Sequence, residues 1–286
     1  MGCCGSAAAA NAGLAPASGR NETAEEIGPT IDELLAKHAG ALAELRAIAA
    51  AEDGYDAAKH DGLHLLRFLL SHKLNAKLAA KAFATALAWR RANGIDAIAD
   101  AVRGGLKQSQ FPHYAKIHPR LPFHFSELGA GQPTMFFSVR ELRLTELMRE
   151  MTTAEYVLYS QYISEHIHQT TDFESRRTGR IVKLVRLIDA TGIGLATLNM
   201  KYISAVAAAA RGSEDAYPQL LGYFFLCNAG RAARTFWETA ARPLLPSRMV
   251  EKSAVLEPLT AEADLRRLLA LVPRSKLPVQ LGGEKI

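Results

Sequence analysis

The stretch YPQLLGYFFLCNAGRAARTFWETAARPLL, residues 217–245, carries the information that organises the rest of the chain. It opens on a Tyr-Pro turn and continues as a short apolar run, Leu220 to Cys227, of strand length. Asn228-Ala229-Gly230 breaks that run, and a helix-period segment follows. Ala232, Ala233, Phe236, Trp237, Ala240, Ala241, Leu244 and Leu245 fall on one side of that helix. Arg231, Thr235, Glu238 and Arg242 fall on the other, so the segment is amphipathic. Strand, break and amphipathic helix in this order describe a floor and a lid for an apolar cavity. An ordinary core strand followed by a surface helix carries the same pattern.

Working outward, the 286 residues suffice for one large domain or two smaller ones, and 49% hydrophobic content supports a real core. The formal net charge is +5 and the pI about 9.1, with the basic residues scattered. No nucleic-acid signature accompanies them, and a mildly cationic chain fits an anionic membrane surface equally well. The three cysteines are Cys3, Cys4 and Cys227, too few for a disulfide framework or a zinc quartet. Cys227 ends an apolar run and reads as a small buried hydrophobe. No apolar run approaches the roughly 18 residues of a spanning helix.

The N-terminus reads Met1-Gly2-Cys3-Cys4-Gly5-Ser6. Loss of Met1 exposes Gly2, and Ser6 completes the N-myristoylation pattern. One myristoyl chain holds a membrane only marginally, so a second signal is needed. Arg20 is the only charged residue among the first twenty, which leaves palmitoylation of Cys3 and Cys4 as that signal. The expectation is a dual acyl anchor on Gly2, Cys3 and Cys4, placing a cytosolic body at the cytoplasmic face of a membrane. Residues 1–29 are otherwise rich in Ala, Gly, Ser and Asn and read as a flexible tether.

From Thr30 the pattern becomes helical. Thr30 or Asp32 caps a segment containing Ile31, Leu34, Leu35, Leu42, Leu45 and Ile48. Further helices are expected over 61–71, 76–92 and 96–103, so residues 30–105 form an all-helical subdomain. Residues 106–286 form the second unit. Strand-like runs occur at 121–125 and 134–139, with a helix over 152–168. A strand over 180–189, a helix over 195–210, a strand at 254–256 and a helix over 260–271 follow. Strands alternating with helices give the α/β class.

Several motifs carry less than they first offer. Gly192-Ile193-Gly194 lies between a strand and a helix, but Thr197 stands where a dinucleotide fingerprint needs its third glycine. His166 and His168 are two apart on a helix and point in different directions. His60 and His64 have helical spacing, but Gly62 lies between them and Asp61 reads as a cap. No carboxylate or cysteine set completes a metal site. No G-x-S-x-G is present, so the nucleophile elbow is missing. No cofactor, metal, catalytic residue or enzymatic activity is expected.

Short motifs in order and spacing carry a resemblance. They are Asp61-Gly62-Leu63-His64-Leu65-Leu66-Arg67-Phe68-Leu69, Trp89-Arg90, Gly131-Gln132-Pro133 and Leu187-Ile188-Asp189-Ala190-Thr191-Gly192. Tyr217-Pro218-Gln219-Leu220-Leu221-Gly222, Asn228-Ala229 and Leu277-Pro278-Val279-Gln280-Leu281-Gly282-Gly283-Glu284 complete the set. Over residues 30–284 the chain resembles the CRAL-TRIO lipid-binding family, which includes yeast-type phosphatidylinositol transfer proteins and carriers of tocopherol and retinaldehyde. The resemblance implies a sheet floor roofed by a mobile gate helix around one lipid. Residues 231–245 match the gate, with Phe236, Trp237, Ala240 and Leu244 as its apolar residues. Lys252 matches the lysine of phosphatidylinositol binders, whereas Gln219 replaces their glutamate, His72 an arginine and Met249 a threonine. Leu184 and Arg186 stand where the phosphatidylcholine pattern has Ser and Thr. The expected lipid-binding residues are Lys252, Gln219, His72, Tyr162 and Phe225. A phosphoinositide held through Lys252 and His72, another phospholipid, and a neutral isoprenoid or sterol-like ligand all stay open. The expected partners are that lipid, a membrane surface and a protein that receives the lipid. The alternative is a membrane-tethered scaffold that kept the fold and lost the lipid.

Overall fold

The computed structural model describes residues 28–126, 133–194, 199–213, 215–245, 247–257 and 262–284. The expected acyl-anchor residues Gly2, Cys3 and Cys4, nearly all of the tether, and Gly131-Gln132 of the Gly131-Gln132-Pro133 motif lie outside them.

The N-terminal part is helical because its starts are capped and its apolar residues recur at helical spacing. The helices are α1 (Ile31–Lys37), α2 (Ala39–Ala49), α3 (Gly62–Ser71), α4 (Ala76–Ala92) and α5 (Ile95–Arg103). Thr30 and Glu33 form a reciprocal capping box at α1. Asp61 accepts the His64 N–H at 3.0 Å to start α3, and Asn75 accepts the Leu78 N–H at 3.0 Å to start α4. The single helix expected through Ile48 is two, because the chain bends at His38 (φ −111°, ψ 20°) beside the weak helix former Gly40.

After α5 comes a short turn of helix, α6 (Tyr114–Ile117), and α7 (Leu144–Glu150) lies beyond the first two strands. The strands are β1 (His124–Ser126), β2 (Thr134–Ser138), β3 (Leu184–Asp189), β4 (Leu221–Cys227) and β5 (Ser253–Val255). Among the described residues they form one sheet in the order β1-β2-β3-β4-β5, with β1 antiparallel to β2 and every other pair parallel. Each parallel step is bridged by helix: α8 (Thr153–Thr178), α9 (Met200–Ser213), and a composite segment from α10 (Arg231–Phe236) to α11 (Ser247–Glu251). The last helix, α12 (Glu262–Leu269), leads into the C-terminal tail.

Two strands are shorter than their sequence suggests, for hydrogen-bonding reasons. The Leu121 N–H is already used by the Ile117 carbonyl, and Pro122 has none to give. Likewise the Val182 N–H donates to Ser175 Oγ at 2.9 Å, so the sheet ladder of β3 begins at Leu184. In the other direction, α8 runs past His168 to Gly179, which ends it in the left-handed region at φ 66°. Its C-terminal half hides polar residues, including Thr171, Glu174 and Ser175, which mask the apolar period.

The sheet is apolar on both faces, as a largely parallel sheet requires. On one face Phe136, Val185, Leu187, Phe225 and Cys227 pack against Leu268, Val272, Leu277 and Leu281 of α12 and the tail. On the other face lie α8, α9 and the composite segment. The helical N-terminal part joins the same core, for one apolar cluster runs from Leu42 in α2 to Tyr159 in α8 and Tyr217. Arg67 pins this junction: it is 1% exposed, donates to Ser175 Oγ at 2.8 Å and lies 3.7 Å from Asp172.

Candidate functional site

The space between the sheet and its helical cover is a cavity of about 360 Å³. That lies in the range of small-molecule sites. Its floor follows from strand alternation. Met135 and Phe137 of β2, Leu184, Arg186 and Ile188 of β3, and Phe224 and Leu226 of β4 all face it. Its wall follows from helical periodicity, with Tyr156, Tyr159, Ser160, Ile163, Ser164 and Ile167 of α8 forming one stripe. A parallel stripe of α9 includes Tyr202, Ile203 and Val206.

Phe236, Trp237, Ala241 and Leu245 of the composite segment close the cavity. Trp237 is 6% exposed and stacks on Phe224 of the floor, with ring centroids 5.6 Å apart and planes 23° apart. Of the expected gate residues, Ala240 and Leu244 do not line the cavity, and Leu244 is 40% exposed. The reason lies in the backbone. Residues Trp237–Ala241 form a π-helical turn, and Arg242–Leu244 a 3₁₀ turn. The i→i+5 turn shifts the inward stripe one residue onward, from 240 and 244 to 241 and 245. Pro243 accounts for the departure from α-helix: it has no N–H, and its ring would clash with the Thr239 carbonyl in an unbroken helix.

The mouth of the cavity is polar and cationic. Lys252, Arg248, Gln219 and Ser71 line it, and Gln219 Nε2 donates to Ser71 Oγ at 2.9 Å. Gln219 sits at φ 60°, a left-handed conformation imposed by the turn after Pro218. His72 does not line the cavity. Its Nδ1 meets the Phe68 carbonyl at 2.8 Å, which fixes the tautomer and lets Nε2 accept from Arg248 at 3.1 Å. Thus His72 orients Arg248, which reaches the cavity. Nearby, burial first, then the charges of Lys252 and Arg67, push the Lys183 ammonium down to about 8.

Two expected lipid-binding residues face elsewhere. Phe225 points to the opposite side of the sheet, stacked on Tyr223 at 5.8 Å, because strand neighbours alternate and Phe224 takes the cavity side. Tyr162 falls off the inward stripe of α8 and packs on Phe111 at 5.3 Å. Conversely, the sequence reading noted Arg186 only as a replacement in the phosphatidylcholine pattern and did not assign Tyr156 and Tyr202 to the site. The signal for Arg186 was present as one charge inside the otherwise apolar run Leu184–Ile188. The tyrosines carried none beyond helical spacing.

The turn after β3 is structural. Asp189 accepts from Ser138 Oγ (2.9 Å), Thr191 Oγ (2.5 Å), the Thr191 N–H (3.2 Å) and Asn228 Nδ2 (2.9 Å). Burial alone would raise its pKa, but these hydrogen bonds outweigh it and hold the carboxyl below the ordinary value. Gly192 completes the turn at φ 85°. The Gly-x-Gly at 192–194 therefore follows a strand-end staple that ties β2, β3 and β4 together. His60, His64 and His168 come into ring contact, but the described residues contain no group of three or more potential metal ligands.

The CRAL/TRIO domain family matches residues 129–283. The SEC14 cytosolic factor of Eremothecium gossypii is 26% identical over 275 residues, covering 91% of this chain and 81% of that protein. The phosphatidylinositol/phosphatidylcholine transfer protein SFH13 of Arabidopsis thaliana is 26% identical over 231 residues, or 79% of this chain; the match spans only 35% of SFH13. Among solved structures, the crystal structure of Sfh5 aligns with a TM-score of 0.49 and 10% identity, covering 79% of this chain and 80% of Sfh5. With the family matched over more than half of its length, the chain belongs to the CRAL/TRIO domain family.

Proposed function

We propose that this chain is a non-enzymatic lipid-binding protein that holds one hydrophobic lipid in the cavity and exchanges or presents it at a membrane. The observation that carries this reading is an apolar cavity closed by Trp237 on a short segment of mixed helical form, with cations at its mouth. Each buried CH₂ of an acyl chain is worth about 0.8 kcal/mol in such a space, so the pocket competes with a bilayer for the chain. The names of the relatives, a SEC14 cytosolic factor and a phosphatidylinositol/phosphatidylcholine transfer protein, support the same reading.

The gate segment suits a membrane interface. Phe236 and Trp237 present aromatic surface when the segment lifts, and Arg231 and Arg242 are exposed beside them to meet phosphate groups. Lys252 and Arg248 then receive an anionic headgroup at the mouth, whether of a phosphoinositide or of another phospholipid; a neutral isoprenoid would use the apolar floor alone. Acylation at Gly2, Cys3 and Cys4 would keep the protein at the cytoplasmic face of that membrane and favour short-range exchange, or delivery to a protein partner, over free shuttling. The open cavity speaks against a scaffold that has lost its lipid, since such a pocket would be filled by side chains.

Native mass spectrometry of protein purified from cells tests the reading. The expected result is one co-purifying lipid per chain. Well-folded, lipid-free protein in repeated preparations that also takes up no lipid from vesicles would refute it. For the anchor, Gly2→Ala should release the protein from membranes, and persistent association would reject myristoylation.

A further inference from the structure

Arg186 sits where the floor of an apolar cavity has no evident use for a charge. Register places it in one cross-strand row with Met135 on β2 and Phe224 on β4, at the centre of the sheet. Its neighbours on the same strand face are Leu184 and Ile188. Nε is buried and, among the described residues, has no hydrogen-bond partner, and no carboxylate among them acts on the guanidinium. Above it, Tyr156 of α8 and Tyr202 of α9 meet edge to face with ring centroids 5.5 Å apart. Their hydroxyls are 3.5 Å from each other, a long hydrogen bond in which Tyr156 donates, so the Tyr202 O–H is the one left to donate elsewhere. Burial pushes both phenols up and the guanidinium down. The phenols therefore stay protonated donors. An arginine stays charged at any physiological pH.

A buried cation without a counterion is costly, and folded proteins leave few of them. The cost is recovered when an oxyanion arrives, because the guanidinium fork matches carboxylate or phosphate oxygens in pairs. We infer that Arg186, Tyr156 and Tyr202 form an oxyanion-binding subsite inside the cavity, taking a carboxylate or phosphate group carried on an apolar chain. This subsite is distinct from the cationic mouth. Lys252 adjoins β5, two strands from β3, or about 10 Å away at the usual strand spacing. A quaternary ammonium group is disfavoured at Arg186 by like charge. The inference rests on the lipid-binding reading above and adds which chemical group the floor selects.

The test uses the full chain, stripped of lipid, and three fluorescent probes with one pyrene-labelled alkyl chain: a carboxylate, a phosphate monoester and the alcohol. Wild type should bind at least one anionic probe about tenfold or more tighter than the alcohol, as one charge-assisted bidentate contact allows. Arg186→Met should abolish that preference and leave alcohol binding unchanged or tighter. Tyr202→Phe should reduce the preference partially. Whichever anion binds tighter identifies the source of the oxyanion. Ligand-free Arg186→Met should melt at or above wild type, since it removes an unpaired buried charge. Arg186→Gln serves as a second variant should the methionine perturb folding.

A preference that survives in Arg186→Met, or one that vanishes in Lys252→Met instead, overturns the subsite. So does a wild type with no preference, and so does a lower melting temperature in both Arg186 variants, which marks a purely structural arginine. If wild type binds none of the three probes, the lipid-binding reading falls and takes the subsite with it. That outcome is distinct from binding without discrimination.

Discussion

Truncation of Trp237 to alanine should open the gate while leaving the sheet intact. A buried tryptophan removes about 150–250 Å² from water, worth about 4–6 kcal/mol at 25 cal/mol per Å². Part of that is not lost, because one side of the indole faces the cavity and Phe224 remains in place. The lower end of measured Trp→Ala costs, about 3 kcal/mol, is the better figure here. If the gate opens as a unit, that shifts its open-to-closed ratio by about a hundredfold. The opening is local, because the segment's inward residues Trp237, Ala241 and Leu245 belong to a small cluster separate from the main core. Hydrogen exchange read by mass spectrometry is the assay: amides of residues 231–245 should lose protection by about that factor, while β3 and β4 stay unchanged. Lipid exchange between vesicles should change in parallel. Uniform loss of protection across gate and strands, with a matching fall in melting temperature, would show that Trp237 is an ordinary core residue and refute the gate reasoning.

Replacing Asp189 with Ala strands the donors of Ser138, Thr191 and Asn228, and should lower the melting temperature by on the order of 10 °C, from about 3 kcal/mol. Because its folded pKa is depressed, Asp189 contributes stability that is present above about pH 3.9 and lost as pH falls through the folded value, so acid melting of Asp189→Asn should be shallower than wild type. Lys252→Met should move the Lys183 titration up from about 8, read by the pH dependence of lysine acetylation; an unmoved midpoint would show that the two ammonium groups do not interact. The lowered folded pKa also means that the Lys183 ammonium disfavours the fold, so stability should rise as pH climbs from about 8 towards the unfolded value near 10.4. In Gly283→Ala a Cβ would stand 1.7 Å from the Leu277 carbonyl oxygen, so the tail should undock and tryptic cleavage after Arg274 and Lys276 should accelerate; unchanged proteolysis would mean the turn relaxes at no cost.

Secondary structure in this chain was legible where local chemistry is self-sufficient. Thr30 and Glu33, Asp61, and Asn75 cap helices through side chains within three residues, so their starts can be read from composition and order alone. The apolar runs of β3 and β4 likewise announce strands buried on both faces. Local signals failed where a distant partner decides. Ser175 takes the Val182 N–H away from the ladder of β3, and the polar C-terminal half of α8 is helical because the N-terminal helices bury it.

The chain order also determined the strand, break and amphipathic helix over residues 217–245 and supplied Lys252 among the cations that line the cavity. It could not determine facing, since that depends on a phase set elsewhere. One residue of strand register separates Phe224, on the cavity, from Phe225, behind the sheet. A π-turn before Pro243 moves the closing surface from Ala240 and Leu244 to Ala241 and Leu245. Arg186 shows the same limit most sharply. Its place in an apolar run is visible in the sequence, but only the packing of α8 and α9 over the sheet puts Tyr156 and Tyr202 above it, with no counterion among the described residues.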